Sequence, residues 1–161
     1  MAITFFSIGT NLGNRKRNIE RAIALLEKRV GRCVKISDFY QTSPWGFVSE
    51  NEFLNIAAEF ETTLQPLDLL KVTQQIERAL GRARKSENGT YCDRIIDIDI
   101  LFYDNLIINL PQLTLPHPLL QKRDFVLTPL AQIASEWQHP ILKKTISEIK
   151  KAGFFQHDNF N

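Results

Sequence analysis

Cysteine is scarce in this 161-residue chain, with only Cys33 and Cys92, far apart in sequence. Two such residues give neither a disulfide framework nor a metal-ligand spacing, so both are expected to be free thiols. Strong net charge is missing too. At +2, from 20 basic and 18 acidic side chains, the chain carries no global field that would imply a nucleic-acid partner. No apolar run approaches the roughly 20 residues needed to cross a bilayer, and Met1-Ala2-Ile3-Thr4 lacks the basic and then apolar regions of a signal peptide. The expectation is a cytoplasmic protein with no membrane partner. The loop Gly-x-x-x-x-Gly-Lys-Ser/Thr is absent, and Gly9 and Gly13 do not fit the dinucleotide fingerprint. Any phosphate binding must therefore rest on side chains and metal. With no repeat, low-complexity tract or linker, and with 43% hydrophobic and 24% charged residues, one domain over 1–161 is expected, its last residues 154–161 a frayed tail.

What is present is patterned. The nearly continuous apolar run from Ile3 to Ile8, broken at Gly9, reads as a buried central strand. Ile19, Ala22, Ile23, Leu26 and Val30 mark one face of a helix that Asn14 caps and Gly31 stops. Residues 33–41 alternate as a strand, Thr42 to Glu52 read as a loop, and Phe53 to Thr63 read as a second strand. Pro66 opens another amphipathic helix, with Leu69, Val72, Thr73, Ile76 and Leu80 on one face and Gly81 at its end. After a basic loop from Arg82 to Asp93, the run Ile95 to Tyr103 is a strand closed by Asp104-Asn105. The order β-α-β-β-α-β is the ferredoxin-like plan of the α+β class, an antiparallel sheet with both helices on one face. Pro111, Pro116, Pro118 and Pro129 then punctuate a C-terminal extension of loops and short helices, ending in a helix near Thr145 to Ala152.

Asp97 and Asp99 carry the sharpest chemistry. On a strand they point away from Ile96, Ile98 and Ile100, with Cβ atoms roughly 7 Å apart. Two neighbouring carboxylates repel unless cations sit between them, and hard oxygen donors at this spacing suit Mg²⁺. Two ions on such a pair would clamp a polyphosphate. The same spacing also occurs on a plain solvated sheet face. Beside the pair stand Arg78, Arg82, Arg84, Lys85 and Arg94, whose forks and point charge suit phosphate, on a loop that Gly89 makes pliable enough for a lid. A solvated charged loop would look alike. Further on, His117 and Arg123 are candidate phosphate donors and Phe125 a candidate stacking surface. Thr42-Ser43-Pro44-Trp45-Gly46 with Phe53-Leu54-Asn55 offers a flat aromatic slot with amide partners, although Trp45 equally suits a core.

Seven motifs in order resemble the 6-hydroxymethyl-7,8-dihydropterin pyrophosphokinase family over roughly residues 3–135. They are Gly9-Thr10-Asn11-Leu12-Gly13, Thr42-Ser43-Pro44-Trp45-Gly46, Phe53-Leu54-Asn55, Gln74 with Glu77, Gly81-Arg82-Ala83-Arg84-Lys85, Arg94 through Leu101, and Pro116-His117-Pro118 through Leu127. The resemblance implies transfer of pyrophosphate from ATP to a pterin alcohol in folate synthesis, with two Mg²⁺ ions on Asp97 and Asp99. It implies an ATP site of Gln74, Glu77, Arg84, Tyr91, Arg94, Ile100, His117 and Arg123, with Arg82 helping the catalytic cycle. For the pterin it implies Gly9, Thr42, Ser43, Pro44, Trp45, Phe53, Asn55, Tyr91 and Phe125, in an enzyme acting as a monomer. Where many relatives have an aromatic residue followed by Gly-Pro-Arg, this chain has Tyr91-Cys92-Asp93-Arg94, and its loop from Gly81 looks longer.

Two other readings share parts of this pattern. An RNA-binding ferredoxin-like module would expose paired aromatics on a basic sheet, whereas this fourth strand exposes acids. A metal-dependent nucleotidyltransferase would use the same Asp-x-Asp clamp but attach AMP to its acceptor. The released product separates it from a pyrophosphokinase.

Overall fold

The computed structural model describes residues 1–42, 52–81 and 95–153. A central sheet is built from β1 (Ala2–Thr10), β2 (Gly31–Ile36), β3 (Tyr40–Thr42), β4 (Phe53–Thr62) and β5 (Asp97–Tyr103). Its order is β2-β4-β1-β5, with β3 also on β4, and every pairing is antiparallel. Helices α1 (Arg15–Arg29) and α2 (Pro66–Ala79) complete the β-α-β-β-α-β order. The capping and period expected for α1 are present: the Asn14 side chain accepts the Arg17 N–H, and Ile19, Ala22 and Leu26 are buried. Pro66 stands at the start of α2, where its missing N–H costs no helical bond.

The strand expected over 33–41 is two strands. Ser37 interrupts it, exchanging with Ala57 through its own backbone N–H and through its Oγ, which accepts the Ala57 N–H, both at 2.9 Å. A side-chain oxygen thus takes the place of a ladder carbonyl, and Asp38–Phe39 swing out before β3 rejoins β4. Strand β5 starts at Asp97, two residues later than its apolar pattern suggests, although Ile96 is already buried.

Both sheet faces are covered. One carries α1 and α2 over Phe6, Ile8, Ile56, Ala58, Phe60, Ile98 and Ile100. The other carries the C-terminal extension over Phe5, Ala57, Leu101 and Phe102, through Val126, Leu127, Leu130, Ile146 and Ile149. That extension holds a short hairpin of β6 (Ile108–Asn109) with β7 (Thr114–Leu115), then α3 (Asp124–Ala134) and α4 (Ile146–Ala152). Helix α3 runs through Pro129, which the sequence reading treats as punctuation; its burial against sheet and α4 outweighs one lost backbone bond. Helix α4 has a reciprocal capping box between Thr145 and Glu148 and ends at Gly153 with φ 67°. Among the described residues no helix is long and apolar enough to cross a membrane, and Cys33 is a free thiol. The tail 154–161 lies outside the described residues.

Candidate active site

Strand pairing assembles the site. Gly9 stands opposite Asn55 on one side and Asp97 on the other, and Ser7 stands opposite Ala57 and Asp99. Residues paired across strands share a face, so Asn55, Gly9, Asp97 and Asp99 lie on the face covered by the extension, at one end of it. The aspartates are half-buried while Ile96, Ile98 and Ile100 are buried on the helix side, as their alternation requires. Tyr40 opposes Asn55 and Thr42 opposes Phe53, which adds the expected Thr42 and Phe53 to the same corner.

Asn55 is buried, and among the described residues its Nδ2 has no hydrogen-bond partner. Such an amide donor is costly unless something accepts from it. Its place is secured by Gly9, where any side chain would run into Asn55 Oδ1.

The opposite wall comes from the extension. The His117 backbone N–H donates to Leu101 O at 2.9 Å, tying this segment to the end of β5, and its Nδ1 accepts the Leu119 N–H at 3.1 Å. Burial, and then the Arg123 guanidinium, push the His117 pKa down to about 4, while Asp97 opposes them. The imidazole is therefore neutral near pH 7. With Nδ1 accepting, its proton sits on Nε2, which is left as a donor. Arg123 and Asp97 are thus both close enough to His117 to act on its charge. Arg123 is buried, and its guanidinium lies 5.6 Å from the centre of the half-buried Phe125 ring.

Gln74 and Glu77 lie on α2, one turn apart, on the other layer. Glu77 is buried, and its Oε2 accepts the Ile98 N–H at 2.8 Å, between the two aspartates on the outer edge of β5. It holds the aspartate strand rather than only lining a nucleotide site. Gln74 is half-buried. The Ile100 side chain is in the helix-side core, so only its backbone, which faces the same edge as that of Ile98, is available to a ligand. The expected Ser43, Pro44, Trp45, Arg82, Arg84, Tyr91 and Arg94 lie outside the described residues, as do Cys92 and Asp93.

Tyr40 and Asp124 have no role in the sequence motifs. The Tyr40 hydroxyl donates to Asp124 Oδ2 at 2.5 Å, and Thr128 Oγ1 donates to Asp124 Oδ1 at 2.8 Å. The two partners are 84 residues apart in the chain, so no local pattern reveals them.

Comparison with known proteins points to one family. A family model described as 7,8-dihydro-6-hydroxymethylpterin-pyrophosphokinase (HPPK) matches residues 5–135. The 2-amino-4-hydroxy-6-hydroxymethyldihydropteridine pyrophosphokinase of Porphyromonas gingivalis is 48% identical over 141 residues, covering 87% of this chain and 95% of the relative. The protein of that name in Bacillus subtilis is 41% identical over 135 residues, covering 83% of this chain and 79% of the relative. Among solved structures, wild-type Plasmodium falciparum HPPK-DHPS with pteroate shares the fold at a TM-score of 0.76 and 19% identity, covering 94% of this chain. This chain spans 42% of that longer protein.

Proposed function

The chain belongs to the 7,8-dihydro-6-hydroxymethylpterin-pyrophosphokinase family, and from that premise we propose how its residues divide the work. It transfers pyrophosphate from ATP to 6-hydroxymethyl-7,8-dihydropterin, giving AMP and the pterin diphosphate, a step of folate biosynthesis. In this transfer the pterin hydroxyl oxygen forms a bond to the β-phosphorus, the bond from that phosphorus to the oxygen of AMP breaks, and the hydroxyl proton is lost.

The row Asn55, Gly9, Asp97 carries the assignment of roles, because it sets a buried amide donor beside the carboxylates across one glycine. Asn55 bonds an acceptor on the edge of the pterin ring. Phe53 and Phe125 offer it apolar faces, with Thr42, Ser43, Pro44, Trp45 and Tyr91 completing the pocket. Stacking needs no charge on the ring, which suits a neutral heterocycle.

Asp97 and Asp99 would hold two Mg²⁺ ions. Among the described residues no cluster of three or more His, Cys, Asp or Glu surrounds them. A pair of half-exposed carboxylates fits an ion that takes one or two protein ligands and fills its shell with water and phosphate oxygens. When bound, Mg²⁺ supplies positive charge that gathers the phosphates and offsets the charge growing on them. Glu77 keeps the strand between the aspartates in register through Ile98. His117 Nε2 and the Arg123 guanidinium donate to phosphate oxygens, and Arg82, Arg84 and Arg94 add charge from their loop. Gln74 and the backbone of Ile100 face the nucleotide. No side chain is assigned as general base.

The working form is taken to be a monomer in the cytoplasm. The reading is tested by titrating pterin into the wild-type protein and into Asn55→Ala, with and without Mg-ATP. Loss of pterin affinity in the variant supports it. Equal affinity would remove Asn55 from the site.

A further inference from the structure

The corner that would receive the pterin has walls from two distant parts of the chain. Asn55 and Phe53 belong to β4, whereas Phe125 and Arg123 flank the start of α3. Rigid strand pairing fixes the first wall, because Asn55 is held by Gly9 and Tyr40 on either side. The second wall has no such ladder. Val126 and Leu127 press the first turn of α3 onto the sheet, and the residue preceding the helix, Arg123, makes no side-chain cap hydrogen bond, which leaves a polar tie to β3 to complete the anchoring.

Asp124 supplies it. It is the first helical residue, where a carboxylate is favoured by the free N–H groups of the helix start. One of its oxygens takes the Thr128 hydroxyl one turn later, which fixes the carboxylate to its own helix. The other takes the Tyr40 hydroxyl from β3 at 2.5 Å, a short charge-assisted bond of the stronger kind. That bond, more than burial, raises the Tyr40 pKa above its ordinary value, so the phenol remains the donor. A second link lies two turns along α3, where Gln132 Oε1 accepts the Asp38 N–H at 2.9 Å. Since Asp124 sits between Arg123 and Phe125 in sequence, anything that fixes its backbone fixes both neighbours.

We propose that Tyr40 and Asp124 are positioning residues for the pterin pocket, their hydrogen bond holding Phe125 at a set distance from Asn55 so that the gap accepts one flat heterocycle. Neither touches the substrate. The proposal rests on the reading of Asn55 and Phe125 as pterin contacts. Tyr40 is the residue cross-strand from Asn55, so the link joins the two walls where a ring would lie between them. A clamp of this kind acts on fit and not on chemistry, because the aspartates and His117 are held separately by β5 and by Leu101.

The test uses the full chain as Tyr40→Phe, Asp124→Asn and Asp124→Ala, and the double variant Tyr40→Phe/Asp124→Ala. Pterin KM and kcat, ATP KM and thermal midpoint are measured for each, with Asn55→Ala as the reference for the site. Tyr40→Phe and Asp124→Ala are expected to raise the pterin KM on the order of tenfold, with kcat and ATP KM within about twofold. The double variant is expected to be no worse than the worse single one, because one bond is lost once. Asp124→Asn keeps an acceptor and should recover part of the affinity, which also covers a failure of Asp124→Ala to fold. Additive effects in the double variant, or a fall in thermal midpoint with unchanged pterin KM, would overturn the proposal and leave a purely structural bond. If Asn55→Ala weakens pterin binding while Tyr40→Phe does not, the clamp fails and the site stands. If Asn55→Ala has no effect, the site reading itself fails and takes the clamp with it.

Discussion

Gly9 and Asn55 face each other across β1 and β4, so closely that a methyl group on Gly9 would collide with Asn55 Oδ1 and reach Cγ at 3.4 Å. The glycine is required by this approach and not by an unusual backbone angle. Gly9→Ala must therefore turn the Asn55 amide or separate the strands. The expected result is pterin affinity weaker by about tenfold or more, ATP affinity unchanged, and a stability loss of about 1–3 kcal/mol. Calorimetric titration with each substrate, beside urea unfolding, checks it; undisturbed pterin binding would show that the Asn55 orientation is irrelevant.

The bond from Ile98 to Glu77 makes a different kind of prediction. Glu77→Ala leaves a buried N–H on the strand of the aspartates without its carboxylate acceptor, at a cost of about 1–3 kcal/mol. Glu77→Gln can still accept through its amide oxygen and should lose less. Urea midpoints for the two variants decide this, and equal losses would mean that the charge, not the hydrogen bond, matters there.

His117 gives a pH dependence. Its pKa is lowered from the ordinary 6.5 to about 4 in the folded chain, so between those values the unfolded chain binds the extra proton. The His117 contribution to stability is complete above about pH 6.5 and is lost as pH falls towards 4, at no more than about 1.4 kcal/mol per pH unit. His139 is also lowered by burial and acts in the same direction. The difference in unfolding free energy between wild type and His117→Gln, followed from pH 7 to 5, isolates the first. That difference should shrink as pH falls; a constant difference rules out a neutral buried imidazole.

Much of the frame is legible in the sequence, for reasons that differ by element. Ile19, Ala22 and Leu26 repeat at the helical period, and Asp97 and Asp99 alternate with isoleucines, so α1 and the exposed side of β5 follow from spacing. Ser37 hides the break between β2 and β3 because its oxygen imitates a backbone carbonyl. Helix α3 is buried between the sheet and α4, so its apolar residues give no clear stripe and Pro129 masks it further. In the site, the convergence of His117, Arg123 and Asp97 depends on chain return and is not encoded in any spacing; the family motifs supply it. The Tyr40–Asp124 bond is in neither source and needs the structure.

Asp97→Ala and Asp99→Ala each remove a half-exposed carboxylate from a repelling pair without touching the packed isoleucines. Turnover is expected to fall on the order of 10³-fold or more while circular dichroism and the thermal midpoint stay near wild type. Full activity in both variants would sink the metal assignment.

The central claim is the transfer of pyrophosphate, and the product carrying the adenosine reports it directly. The wild-type protein is incubated with Mg-ATP and 6-hydroxymethyl-7,8-dihydropterin, and nucleotides and pterins are resolved by chromatography. AMP and pterin diphosphate should appear in equal amounts, and AMP should not form without the pterin. Free pyrophosphate with an adenylylated pterin, or ADP with a pterin monophosphate, would contradict the account.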